Sequence, residues 1–139
     1  MTAPEAASAP ALAPVADFFA RYAAAFEALD GDAVAALYCS PCGLLDRNGY
    51  THWAERAQVL DNMRALCALY RQRGLVAARP TIVQWMPQGD FAGYADVRWT
   101  LQWQAAVPDA RTTAFHTGYL LHRAEHDWRI QLCTAYQET

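Results

Sequence analysis

Asp46 and Tyr22 are the two residues whose types and settings could do chemistry. Asp46 ends the run Gly43-Leu44-Leu45-Asp46-Arg47, which is followed by Asn48-Gly49 and then Tyr50-Thr51-His52-Trp53. Asn-Gly between two short apolar-containing runs predicts a tight hairpin, because both residues tolerate the positive φ of a type I′ turn. The expected register pairs Arg47 with Tyr50, Asp46 with Thr51 and Leu44 with Trp53, so Leu44, Asp46, Thr51 and Trp53 share a face. A carboxylate desolvated among apolar groups is a better proton acceptor than one in water. Such a base can move a proton at a carbon next to a carbonyl while a phenol, here Tyr22, hydrogen-bonds the enolate oxygen. Two plainer readings stand beside this one: Asp46 braces the turn through its backbone amides, and Tyr22 is an ordinary core tyrosine with its hydroxyl satisfied.

The four cysteines, at 39, 42, 67 and 133, raise redox and metal chemistry. Cys39-Ser40-Pro41-Cys42 has the spacing of a redox dithiol or of half a zinc site. No second C-x-x-C follows, although His122 and His126 stand four apart. The dithiol also follows a short helix and leads into a strand, rather than sitting between a strand and the start of a long helix. Structural thiols are the reading, with redox and metal roles as the alternatives; Cys67 and Cys133 fall where a free thiol acts as a small hydrophobe.

Composition narrows the partners. The 139 residues carry a net charge of -3, with eleven arginines spread along the chain and no lysine. That distribution offers no basic stripe for nucleic acid. Without lysine there is neither Schiff-base chemistry nor the lysine of nucleotide phosphate sites. No stretch reaches the roughly 18 uninterrupted apolar residues of a membrane span, so no membrane partner and a cytoplasmic location are expected. Residues 1–14, rich in Ala and Pro, read as a disordered leader rather than a secretion signal. Residues 15–139 read as one domain.

The elements that must position Asp46 and Tyr22 follow from periodicity, which changes at Gly74. Before it, Val15, Phe18, Phe19, Tyr22, Phe26 and Leu29 form one helical stripe. Asp30-Gly31-Asp32 stops that helix and caps a short second one marked by Val34, Leu37 and Tyr38. A third helix over 54–73 aligns Val59, Met63, Leu66, Cys67 and Tyr70. After Gly74, alternation predicts strands over 76–86, 91–106, 111–123 and 127–136, with turns at 87–90, Pro108-Asp109 and Ala124-Glu125-His126. Val97, Trp99, Leu101 and Trp103 share one face of the second of these. Helices first and an antiparallel sheet second make an α+β domain whose sheet curls around a helix.

This order resembles the NTF2-like superfamily of cone-shaped folds, with its SnoaL-like and ketosteroid isomerase branches, across about residues 15 to 137. The densest likeness lies in Arg21-Tyr22-Ala23-Ala24-Ala25-Phe26, in Asp30-Gly31-Asp32 through Ala36-Leu37-Tyr38, and in Leu44-Leu45-Asp46. The resemblance implies a helix-capped cone with an apolar pocket for a hydrophobic small molecule, and a homodimer formed through the outer sheet face. In the isomerase branch the residues matching Tyr22 and Asp46 are the phenolic oxyanion donor and the carboxylate base. The branch's second donor, a carboxylic acid, falls near Gly118, and His116 is the nearest polar substitute. The catalytic candidates are therefore Asp46, Tyr22 and His116, and the pocket candidates Phe18, Trp53, Met63, Trp99, Trp103 and Gly118.

Two functions remain open. One is a cofactor-free isomerase, cyclase or dehydratase acting on a carbonyl-bearing hydrophobic substrate; the other is a noncatalytic ligand-binding or dimerisation domain of the same shape. No motif calls for a nucleotide, flavin, haem or metal.

Overall fold

A computed structural model describes residues 8–104, 111–125 and 127–138. The elements run α1 (Ser8–Glu27), α2 (Gly31–Ala35), β1 (Tyr38–Asp46), β2 (Gly49–Trp53), α3 (Arg56–Arg73), β3 (Leu75–Gln88), β4 (Ala92–Trp103), β5 (Thr112–Ala124) and β6 (Asp127–Glu138). Helix α1 starts inside the segment expected as a leader, with Pro14 within it. Residues 1–7, the Pro108-Asp109 turn and His126 lie outside the described residues.

The six strands form one curved, unclosed sheet in the order β2-β1-β6-β5-β4-β3. Every neighbouring pair is antiparallel except β1 with β6, which run parallel. Alternation decides the faces. On β4 the side chains of Ala95, Val97, Trp99, Leu101 and Trp103 are buried, while Arg98 and Gln102 between them are exposed. The inner face wraps the apolar stripe of α1, whose Val15, Phe18 and Phe19 are essentially inaccessible to solvent. Full burial of a side chain such as Phe18 stabilises the fold by roughly 1.5–3 kcal/mol.

Polar groups fix how the helices sit on this sheet. The Glu27 carboxylate at the end of α1 accepts from the Ala78 backbone N–H on β3 at 2.8 Å. Arg56 at the start of α3 donates to the carbonyls of Ala35 and Tyr38 at 2.6 and 2.9 Å, tying α3 to the α2–β1 corner. A reciprocal capping box between Glu55 and Gln58 opens α3, and Gly74 ends it. No described helix is long and apolar enough to cross a membrane.

Two local expectations are corrected. The short second helix stops at Ala35, and Tyr38 begins β1 instead of ending that helix; the Leu37 carbonyl accepts from Ile130 N–H at 2.9 Å, so the chain is already held against β6. In the hairpin, Asp46 pairs with Gly49, Leu44 with Thr51 and Cys42 with Trp53. The two turn residues are thus Arg47 and Asn48, and only Gly49, at φ 117, takes the positive φ. The Asp46 carboxylate accepts from Asn48 N–H at 2.8 Å and braces this turn.

Candidate functional site

Helices α1 and α3 and the inner face of the sheet surround a cavity of about 180 Å³. Its closed end is built from buried side chains on five elements: Tyr22 of α1, Tyr38 of β1, Trp99 of β4, Thr117 and Tyr119 of β5, and Cys133 of β6. Phe26, Trp53, Met63 and Leu101 form the walls, and half-buried Leu44, Asn62 and Phe115 with exposed Ala135 form the mouth. Period-two alternation explains the set, since Phe115, Thr117 and Tyr119 on β5 all point inward.

Hydroxyl groups are gathered at the closed end. The Tyr22 and Tyr38 oxygens lie 2.6 Å apart, one donating to the other. Trp99 Nε1–H donates to the Tyr119 hydroxyl at 2.8 Å. The rings pack closely as well, Tyr22 lying 5.7 Å from Trp99 and 5.8 Å from Tyr119 between centroids. Burial pushes all three phenols well above the ordinary tyrosine value, so each stays neutral. Burial likewise pushes Cys133 up to about 12, although a hydrogen bond with Tyr38 pulls the other way. That thiol is protonated and a poor nucleophile.

A proton count shows what this end can offer. Tyr22 and Tyr38 hold two hydroxyl protons and spend one on their mutual bond, leaving one for another acceptor. Their neighbour Cys133 is a weak acceptor. The Tyr119 hydroxyl accepts from Trp99 Nε1–H and is also hydrogen-bonded with Thr117. The one phenol proton of the Tyr22/Tyr38 pair beyond the mutual bond thus meets only a weak acceptor, and among the described residues no Asp, Glu, His, Lys or Arg lines the cavity.

The structure brings together Tyr22, Trp53, Met63 and Trp99 from the sequence-predicted set. It does not bring Asp46 to Tyr22. The inner face of β1 passes from Leu44 at the mouth to Asp46 one step further out, about 6.6 Å along the strand. Asp46 therefore lies beyond the cavity, half-buried and bonded to Asn48. His116 and Gly118 are also outside it. The inward set on β5 is Phe115, Thr117 and Tyr119, which turns His116 and Gly118 to the outer face. There the Tyr94 ring lies over Gly118, where any Cβ would collide with its hydroxyl. Phe18 is buried behind Tyr22, with ring centroids 6.3 Å apart. Trp103 packs on Tyr70, lies beneath the Arg73 guanidinium at 4.5 Å and donates to Thr113 at 2.9 Å.

Sequence reasoning did not single out Tyr38, Thr117, Tyr119 and Cys133 as site residues. The alternation Phe115, Tyr119, Leu121 carried the signal for β5, whereas nothing local marked Tyr38 as a strand residue. The cysteines of the C-x-x-C motif lie in β1, where the pairing with β6 shifts register between Tyr38 and Gly43. Burial raises the Cys39 thiol and pushes Cys42 up to about 11. No group of three or more His, Cys, Asp or Glu among the described residues is placed to hold a metal ion.

Residues 13–138 match the family model described as NTF2-like protein (DUF6841). No curated protein matches the sequence. Among solved structures, an NTF-2 like protein of unknown function from Shewanella oneidensis MR-1 is similar at a TM-score of 0.71 and 16% identity, covering 90% of this chain and 98% of that one. A ketosteroid isomerase-like protein from Erwinia carotovora atroseptica is similar at 0.64 and 14% identity, covering 91% and 95%. A putative calcium/calmodulin-dependent protein kinase type II association domain from Thiobacillus denitrificans is similar at 0.68 and 17% identity, covering 86% and 91%. At these identities the likeness establishes the shared fold.

Proposed function

We propose that this chain, which belongs to the NTF2-like protein family DUF6841, binds an uncharged, largely apolar small molecule through an acceptor oxygen, without catalysing proton transfer. The observation that carries this reading is the apolar cavity whose closed end presents a phenol pair with one proton left to the weak acceptor Cys133 and no Asp, Glu, His, Lys or Arg. Fold neighbours range from an isomerase-like protein to an association domain, so the fold selects no activity by itself. The site has to decide. A carbonyl oxygen entering it can take the proton that the Tyr22/Tyr38 pair otherwise offers to a weak thiol acceptor, while an anion meets no countercharge in a desolvated space.

Size sets the ligand class. About 180 Å³ is close to the ~150 Å³ at which an apolar protein cavity takes up benzene, so a one-ring to two-ring molecule suits the enclosed part. Calorimetric titration with acetophenone, ethylbenzene and benzoate tests the reading. Acetophenone should bind roughly two- to tenfold more tightly than ethylbenzene, the worth of one buried hydrogen bond, and benzoate should not bind. Equal affinities for the ketone and the hydrocarbon, or tighter binding of benzoate, would overturn it.

A further inference from the structure

Helix α3 contributes one wall of the cavity. Met63, Leu66 and Tyr70 line it at i, i+3 and i+7, the spacing that keeps three side chains on one helical stripe. Tyr70 lies in the last turn, where its carbonyl accepts from the N–H of Gly74, the residue that ends the helix. Its ring packs against Phe26 of α1 and Trp103 of β4, with centroids 5.8 and 5.5 Å away. Backbone and ring are both fixed by these contacts, and the hydroxyl is held with them.

That hydroxyl differs from the other phenols of the cavity. Tyr22 and Tyr38 bond each other, and Tyr119 accepts from Trp99, whereas no described residue hydrogen-bonds the Tyr70 hydroxyl. Burial nevertheless raises its pKa above the ordinary tyrosine value, with the Arg73 guanidinium pulling the other way. It lies near enough to Tyr22 and Cys133 at the closed end for a charge on one to be felt by the other. A phenol withdrawn from water keeps a donor and an acceptor that are costly to leave unpaired. The cavity thus has two polar features of different kinds. The Tyr22/Tyr38 pair has one proton to give, which suits a carbonyl; Tyr70 can both give and take, which suits a hydroxyl.

We propose that Tyr70 is a second polar contact of the cavity, so that the ligand is a ring carrying two oxygen functions, a carbonyl and a hydroxyl, rather than a ketone alone. This rests on the reading of the cavity as a small-molecule site and adds the ligand's second functional group.

Acetophenones in which a ring hydroxyl is exchanged for a methyl of similar size, at the meta and at the para position, test it by titration calorimetry. An apolar wall favours the methyl, because burying an unbonded hydroxyl is costly, so the order of affinities reads the contact directly. At one or both ring positions the hydroxyl ketone should bind roughly two- to tenfold more tightly than its methyl counterpart. Tyr70→Phe, which keeps the ring that packs on Phe26 and Trp103, should reverse that order and leave the affinity of the methyl ketone unchanged. Preference for the methyl at both positions in the unsubstituted protein, or a hydroxyl preference of full size in Tyr70→Phe, would overturn the contact. If acetophenone still binds more tightly than ethylbenzene, either result leaves the cavity reading standing. If none of the acetophenones binds, both readings fall together.

Discussion

The hydroxyl oxygens of Tyr22 and Tyr38 meet at 2.6 Å although the residues sit on α1 and β1, and both side chains are buried. Truncating either one leaves the other hydroxyl without its partner, at a cost of about 1–3 kcal/mol. Removing both hydroxyls deletes donor and acceptor together. Tyr22→Phe and Tyr38→Phe should each lower stability by that amount, and the double variant by clearly less than the sum. Urea unfolding of the four proteins gives the coupling directly; strictly additive losses would mean that the pair does not act as a unit.

The double variant bears on ligand choice, because either single substitution still leaves one hydroxyl proton of the pair. If that proton recognises the ligand oxygen, Tyr22→Phe/Tyr38→Phe should shrink the preference for acetophenone over ethylbenzene towards unity, with ethylbenzene affinity nearly unchanged. A preference of full size in the double variant would place the oxygen elsewhere.

Asp46 carries a different expectation. Its carboxylate accepts from Asn48 N–H across the turn, a role that an asparagine carbonyl can fill and an alanine cannot. Asp46→Asn should keep native stability, and Asp46→Ala should lose roughly 0.5–2 kcal/mol, by analogy with side chains that cap helix backbone amides. Ethylbenzene binding should survive both changes. Turnover of a β,γ-unsaturated ketone that disappears in Asp46→Asn would restore a catalytic base here and sink the binding-only reading.

Much of this architecture was legible because its signals are periodic and local. The stripe from Val15 to Leu29 and the alternation from Val97 to Trp103 each fix one element and the face it buries. The site was harder, because face assignment on a strand flips with a single-residue slip. His116 and Thr117 are neighbours, yet one faces outward beside Asp96 and the other lines the cavity. Tyr38 was obscured for another reason: its strand pairs with β6, with Tyr38 opposite Ile130, and no local pattern announces so distant a partner. At the hairpin, Asn48-Gly49 suggested a turn one residue later than the one formed, in which Asp46 braces Asn48 and Gly49 alone takes positive φ.

Buried acids make stability fall at alkaline pH. Burial pushes Cys42 up to about 11 and Cys133 up to about 12, whereas an unfolded cysteine titrates near ~8.5. Tyr22, Tyr38 and Tyr119 are raised in the same direction. The native state thus holds protons that the unfolded chain releases first, so the contribution is complete below about pH 8.5 and is lost progressively as pH rises through the folded values. Urea midpoints should drop from about pH 8.5 to about pH 11, less steeply in Cys133→Ala. A midpoint that stays level over that interval would contradict the burial of these groups.

The outer face of the sheet leads to an expectation about assembly. Leu120 pairs with Tyr94 on one side and Leu132 on the other, which sets three large apolar or aromatic residues side by side on that face. Tyr136 adds a ring 48% exposed in the single chain. An antiparallel sheet can leave one face to water when that face is polar; this one is mixed, with Asp96 and His116 beside the apolar row. A second copy packed face to face would cover the row by a two-fold interface, the commonest closed symmetry. Light scattering at micromolar concentration should then return about twice the chain mass of 15.5 kDa. Leu120→Arg, which puts a charge at the centre of the row, should return the single-chain mass while circular dichroism shows the native fold. A single-chain mass for the unsubstituted protein would dismiss the dimer, and a dimer that persists in Leu120→Arg would move its interface to another surface.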